Sequence, residues 1–211
     1  MKYSTGTDKG KVRDRNEDNS TFIECGTHMV FAVADGMGGM DFGDVASKIA
    51  VKGIEREFSD CGNLSFDQTD MKKIFIRIFN EINNEIIKKC IEKKSATGMG
   101  TTLSVCVIKD NKIFIGHMGD SRIYIIRNGE AMQVTKDHSY VEELIDSGRI
   151  SREQAKIHPN RNIITRALGL DRDIDVDTDV FDLVKGDCVL LCTDGLTNAV
   201  EDNEMAEIIR S

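Results

Sequence analysis

With 211 residues, 40% of them hydrophobic and 30% charged, the chain has the length and composition of one globular domain with a sizeable core. Its formal net charge of −8 leaves no basic footprint, which excludes nucleic acid or an anionic membrane as the main partner. No apolar run is long enough to cross a bilayer, and the opening MKYSTGTDKGKV lacks the apolar stretch of a secretory signal, so the cytoplasm is the expected location.

In chain order, NSTFIEC reads as a strand, Gly26-Thr27 as a turn, and MVFAVA as a second strand, central because nearly every position is apolar. That strand leads into Asp35-Gly36 and the glycine-rich GMGGMDFG. A helix is expected from about Asp44, with Val45, Ile49, Ile54 and Phe58 at helical spacing. A longer one should cover residues 70–94, with Ile74, Ile78, Ile82, Ile86 and Cys90 on one stripe. Strand signals return in TTLSVCVI and KIFIGHM, joined at Asp110-Asn111, and in RIYIIR and EAMQVT, joined at Asn128-Gly129. Asn-Gly suits the two positive-φ positions of a tight hairpin.

Residues 137–168 read differently. Ser139…Glu142 and Ser151…Gln154 have the spacing of capping boxes, each opening a short helix, and Gly148 suits the end of the first. A third short helix is expected over residues 162–168, which makes 137–168 a helical insertion within a single domain spanning 1–211. The alternating DVDTDVFDL, the apolar CVLLC ending at Asp194-Gly195, and a last helix from about Asn203 complete the chain. Strands and helices segregate instead of alternating, which indicates an α+β fold with antiparallel sheets.

The six cysteines, Cys25, Cys61, Cys90, Cys106, Cys188 and Cys192, form no C-x-x-C pair, and three of them lie in apolar runs. They read as reduced thiols acting as small hydrophobes, not as a zinc site or a disulfide framework. None lies in the arginine-ended phosphate loop that a cysteine phosphatase needs.

The chemistry concentrates in carboxylates. Asp35, Asp120 and Asp194 each follow an apolar β segment, and RDRNED near the start contributes Arg13, Glu17 and Asp18. Strand ends are rigid platforms that can aim carboxylates at one point. Clustered carboxylates raise each other's pKa, a conflict that a hard divalent cation removes. Asp-Gly is also an ordinary turn former and Glu-Asp an ordinary solvated pair, so the pattern alone leaves both readings open.

Six motifs occur in order: Arg13-x-x-Asn16-Glu17-Asp18, FAVADGMGG, TGMGTT at 97–102, GDSR at 119–122, HPNRNIITRALG and CTDGL. Together they resemble the type 2C metal-dependent protein serine/threonine phosphatases of the bacterial kind, over nearly the whole chain. The resemblance implies a four-layer α-β-β-α sandwich, two antiparallel sheets flanked by helices. It implies a binuclear Mn²⁺ or Mg²⁺ centre, with Asp35 bridging both ions, the Gly36 carbonyl and Glu17 as ligands, Asp18 beside them, and Asp194 on the second ion. A third, weaker ion would use Asp120 with Asp194, and Arg13 would grip the substrate phosphate. A metal-activated water would then hydrolyse phosphoserine or phosphothreonine without a phosphoenzyme. The implied partners are phosphorylated proteins, a bacterial Ser/Thr kinase and its substrates; a monomer is expected, and 137–168 corresponds to the family's flap.

Two departures stand out. Relatives often carry a histidine in the loop after the bridging aspartate as general acid, whereas this chain has Met37 and Met40, which cannot donate a proton usefully. The chain also stops at Ser211, before the Gly-x-x-Asp-Asn motif and closing strand of the family, so a C-terminally truncated domain with a weakened metal site is expected. The alternative is therefore a catalytically impaired domain that binds phosphoprotein or a partner. A cation sensor would need a D-x-[DN]-x-[DN]-G loop, which DRDIDVDTD lacks. His117 reads as a packed or surface histidine instead of a ligand, Asp173, Asp175, Asp177 and Asp179 as a solvent face, and GMGGMD fails the nucleotide-loop pattern.

Overall fold

The computed structural model describes residues 1–11, 13–26, 28–38, 42–59, 65–95 and 98–210; the expectations for Thr27, Met40, Cys61 and Thr97 lie outside them. Two antiparallel sheets carry the fold. The larger contains β1 (Asp18–Cys25), β2 (His28–Met37), β4 (Leu103–Lys109), β5 (Lys112–Met118) and β8 (Asp177–Asp182) in that spatial order, with the two-residue β3 (Gly100–Thr101) on the end of β2. The smaller is β7 (Glu130–Gln133), β6 (Arg122–Arg127) and β9 (Cys188–Cys192). Helices α1 (Gly43–Phe58) and α2 (Gln68–Lys93) follow the first hairpin, α3 (Tyr140–Asp146) and α4 (Arg152–Lys156) lie between the sheets in sequence, and α5 (Asp194–Thr197) and α6 (Asp202–Arg210) end the chain.

Side-chain alternation explains the layering. On β4, Leu103, Val105 and Val107 join a core with Ile54, Phe58, Phe75, Phe79 and Ile82 of α1 and α2. The intervening Cys106 and Ile108 face the other way, into a second core with Ile123 and Ile125 of β6. On β6 the alternation repeats: Tyr124 and Ile126 pack with Met205 and Ala206 of α6 in a third core. Three cores between four layers give an α-β-β-α sandwich. Each buried side chain of this size contributes about 1.5–3 kcal/mol.

Local chemistry sets the element ends. Asp67 caps α2 by accepting from the backbone N–H groups of Thr69 and Asp70. Asp110, Asn128 and Gly129 take positive φ of 54°, 55° and 84°, which places the two tight turns where the sequence puts them. Ser151 and Gln154 form a reciprocal capping box, while Ser139 caps α3 without a return bond from Glu142.

Three expectations need correction. No helix covers residues 162–168: Ile164 bridges Ser139 and Leu168 bridges Thr101, so the backbone groups of this β-branched stretch pair outward instead of with one another. Cys25 is disulfide-bonded, whereas Cys90, Cys106, Cys188 and Cys192 are free thiols, and burial pushes Cys106 up to about 12. Asp177 is only half-exposed and pairs with His138 and Arg166, while Asp173, Asp175 and Asp179 are exposed. His117 is buried, as a packed histidine should be. Among the described residues, no helix is long and apolar enough to cross a membrane.

Candidate functional site

Strand register brings the carboxylates together. Strand β2 runs three residues further than its apolar pattern, through Asp35, Gly36 and Met37, because Gly36 and Met37 find backbone partners in Thr101 and Gly100 of β3. Asp35 therefore stands inside a strand, opposite Asp18 of β1. In the smaller sheet Arg122 pairs with Cys192, which sets Asp120 and Asp194, each two residues beyond that pair, side by side at one end. The two sheet ends meet: the Thr193 hydroxyl donates to Asp18 Oδ2 at 2.9 Å.

The backbone around Asp35 is held from several directions. Its N–H donates to Thr102 Oγ1 at 2.8 Å, and its carbonyl accepts from the Thr101 hydroxyl and the Thr102 N–H, both at 2.9 Å. Thr102 Oγ1 also bonds Ser121 Oγ at 2.7 Å, tying Asp35 to the residue that follows Asp120. Gly119, at φ 114°, packs so closely on Thr102 that a Cβ would lie 2.5 Å from the threonine Cβ. Asp194 opens α5 and accepts from Asn198 Nδ2 at 3.1 Å.

Glu17 enters through the backbone. Its carbonyl accepts from Gly36 N–H at 3.2 Å and from Ser47 Oγ at 2.5 Å. Its carboxylate lies against Gly43, where an added Cβ would be 2.6 Å from Oε1. Glycine at both 36 and 43 is a steric requirement of this packing. Arg13 is exposed in the irregular segment before β1.

Electrostatics report the same convergence. Burial, then the charges of Asp18, Asp194 and Asp120, push Asp35 up to about 8, opposed by Arg13. Burial and then Asp194 and Asp137 push Asp120 up to about 7. Asp18, Asp35, Asp120, Asp194 and Arg13 thus share one acidic region. Among the described residues, however, no three side chains are drawn together closely enough to hold a metal ion as they stand. The donor set is nonetheless all carboxylate and carbonyl oxygen, the chemistry of Mg²⁺ and Mn²⁺ sites, and two of its members resist ionising without a cation. The residues present fit such a group.

Sequence reading missed the residues that support these ligands. Arg122 donates to both Asp137 oxygens at 2.6 to 3.0 Å and to Tyr124 Oη at 3.0 Å, locking the start of β6 to the start of the 137–168 segment. Thr101, Thr102, Ser121 and Thr193 form their bonds to this region only once the strands are paired. The signal available was their position inside TGMGTT, GDSR and CTDGL, next to the carboxylates.

Comparison with known proteins agrees with this geometry. Residues 5–210 match the family described as protein phosphatase 2C. The serine/threonine phosphatase Stp of Listeria monocytogenes is 39% identical over 206 residues, which are 97% of this chain and 81% of that protein. The crystal structure of the serine/threonine phosphatase Stp1 from Staphylococcus aureus superposes with a TM-score of 0.90 at 33% identity, covering 98% of this chain and 81% of that one. The catalytic domain of the serine threonine protein phosphatase PstP, in complex with two manganese ions, superposes at 0.81 with 32% identity, covering 97% and 82%. With four layers, an acidic convergence at one end and a family match over nearly its full length, this chain belongs to the protein phosphatase 2C family.

Proposed function

We propose that this chain removes phosphate from phosphoserine and phosphothreonine in proteins with the help of Mn²⁺ or Mg²⁺. The observation that carries the reading is the convergence of Asp18, Asp35, Asp120 and Asp194, with the charge of Arg13, at one end of the sandwich. Relatives named serine/threonine phosphatase, and a neighbour solved with two manganese ions, support it.

In this reading Asp35, the Gly36 carbonyl and Glu17, with Asp18 beside them, and Asp194 would hold the two ions, and Asp120 with Asp194 would hold a third. When bound, the ions supply an acidified water as nucleophile and offset charge on the phosphoryl group. The chain's own residues do the positioning. Thr101 and Thr102 fix the backbone of Asp35, Thr193 orients Asp18, and Asn198 holds Asp194. Arg13 is free at the surface to take two phosphate oxygens with its planar fork. Met37, at the end of β2, has no proton to give, so water or another group would protonate the leaving alkoxide.

Residues 137–168 act as a flap beside the site. Their support comes from both ends: His138 N–H donates to the Gly119 carbonyl, and Leu168 and Thr101 exchange two backbone bonds at 3.0 Å. Those partners neighbour Asp120 and hold Asp35. Hydrolysis of a phosphothreonine peptide, measured with Mn²⁺, with Mg²⁺ and with chelator, tests the proposal. Release of phosphate that chelator abolishes is expected; phosphate release untouched by chelator would overturn the metal reading, and none under any condition would overturn the enzyme reading.

A further inference from the structure

His138 is buried, with 3% of its surface exposed, and lies outside the carboxylate set. Its ring is used at both nitrogens. Gly119 N–H donates to Nδ1 at 3.0 Å, and Nε2 meets Asp177 Oδ2 at 3.0 Å. A backbone N–H can only donate, so Nδ1 carries the lone pair and Nε2 the proton, which it gives to Asp177. Asp177 is itself held by Arg166 NH1 at 3.0 Å. The backbone closes the same contact from the other side: His138 N–H donates to the Gly119 carbonyl at 2.8 Å. Both polar groups of Gly119 are therefore consumed by one residue, immediately before Asp120.

We propose that His138 is a positioning residue for the metal centre. Its ring, oriented by Asp177 and Arg166, fixes the Gly119 peptide and through it the direction in which Asp120 leaves the β5–β6 turn. Gly119 needs such a hold. Its φ of 114° lies in a region that glycine enters and leaves easily, and Thr102 packs against the face where a side chain would stand. The arrangement also joins distant parts of the chain. Arg166 and His138 stand at opposite ends of the 137–168 segment, and Asp177 belongs to β8 at the edge of the larger sheet. Displacing either end of that segment would move the peptide that carries Asp120. The carboxylate–histidine pair thus acts on a backbone amide one residue from a ligand, as outer-shell partners act on ligands elsewhere.

This inference rests on the reading of Asp120 as a metal ligand, and two substitutions separate its parts. The Asn oxygen lies as many bonds from Cα as Nδ1, so His138→Asn keeps the acceptor for Gly119 and loses the bond to Asp177. The Gln nitrogen stands in the place of Nε2, so His138→Gln keeps Asp177 and loses Gly119. Two readouts are compared: hydrogen exchange of the Gly119 and Asp120 amides in the metal-free protein, and Mn²⁺ affinity by calorimetry, with Asp120→Asn as reference. His138→Gln is expected to speed exchange at Gly119 and to weaken, by about tenfold or more, the Mn²⁺ binding that Asp120→Asn removes; His138→Asn should recover part of both, the remainder being lost with the bond to Asp177. If His138→Gln does not fold, Asp177→Ala at its half-exposed position carries the same test, with faster Gly119 exchange and weaker Mn²⁺ binding expected. Unchanged Gly119 exchange in the folded variant, or equal damage from Asn and Gln, overturns the positioning role. Mn²⁺ binding unaffected by Asp120→Asn overturns the assignment of Asp120 beneath it, a separate and distinguishable failure.

Discussion

Asp18 and Asp35 are register partners across the β1–β2 ladder, so their side chains project from the same face of the sheet. Like charges directly opposite in an antiparallel pair destabilise it. The fold accepts this conflict by anchoring the two residues independently: Asp18 takes the Thr193 hydroxyl, and the Asp35 backbone takes Thr101 and Thr102. Two opposed carboxylates held in place would be relieved by a cation, as the proposed function requires.

The first consequence is a pH dependence of stability in the metal-free protein. Asp35 and Asp120 have folded pKa values raised to about 8 and about 7, so the folded state binds more protons than the unfolded one above their ordinary value of 3.8. Their contribution is lost as pH rises through the folded values. His28, His117 and His138 are shifted down, chiefly by burial, and cost stability only below about 6.5. Between about pH 8 and 6.5 the carboxylates act alone, and Tm in chelator should rise as pH falls. Saturating Mn²⁺ should flatten or invert that slope, as differential scanning fluorimetry can check.

Gly36→Ala should damage both fold and site. The new Cβ would lie 2.1 Å from the Gly43 carbonyl oxygen and 2.9 Å from that of Glu17, with backbone on both sides and no flexible side chain to yield. A loss of about 1–3 kcal/mol or more is expected in urea unfolding, together with weakened Mn²⁺ binding. Wild-type stability in this variant would mean that the Glu17–Gly36–Gly43 packing is looser than described.

Asp137→Ala should destabilise by about 3 kcal/mol, because Arg122 would keep its charge in a largely buried place without its bidentate partner. Burial alone would lower the Arg122 pKa, but Asp137 raises it by hydrogen bond and charge, which is why the pair acts as a unit. The double variant Asp137→Ala/Arg122→Met should recover part of the loss. Denaturant midpoints of the three variants check this.

The elements of the fold were legible because short apolar runs bounded by turns, such as RIYIIR of β6, and stripes such as Ile78, Ile82 and Ile86 are local patterns. Residues 162–168 were not. Ile163, Ile164 and Thr165 sit where a helix fits the local spacing, but partners from Ser139 and Thr101 decide the outcome, and those are set by tertiary structure. The carboxylates were visible as acids after apolar strands, yet strand ends alone favoured the ligand reading over the turn reading only slightly. Register was the missing information: it sets Asp18 opposite Asp35 and Arg122 opposite Cys192. The pairing of His138 with Asp177 was hidden for the same reason, the two being 39 residues apart in sequence and bonded only across the folded chain.

The central claim is that Asp35 organises cations for phosphate hydrolysis, and the most direct test is phosphate release from a phosphothreonine peptide by wild type and Asp35→Asn across a Mn²⁺ titration. The substitution keeps the shape and the backbone bonds to Thr101 and Thr102. Wild-type turnover should rise with Mn²⁺ to saturation, and kcat/KM of the variant should fall by more than the ~100-fold typical of losing an outer-shell partner, with its fold intact by circular dichroism. Equal turnover in the two proteins, or turnover that Mn²⁺ does not change, would contradict the account.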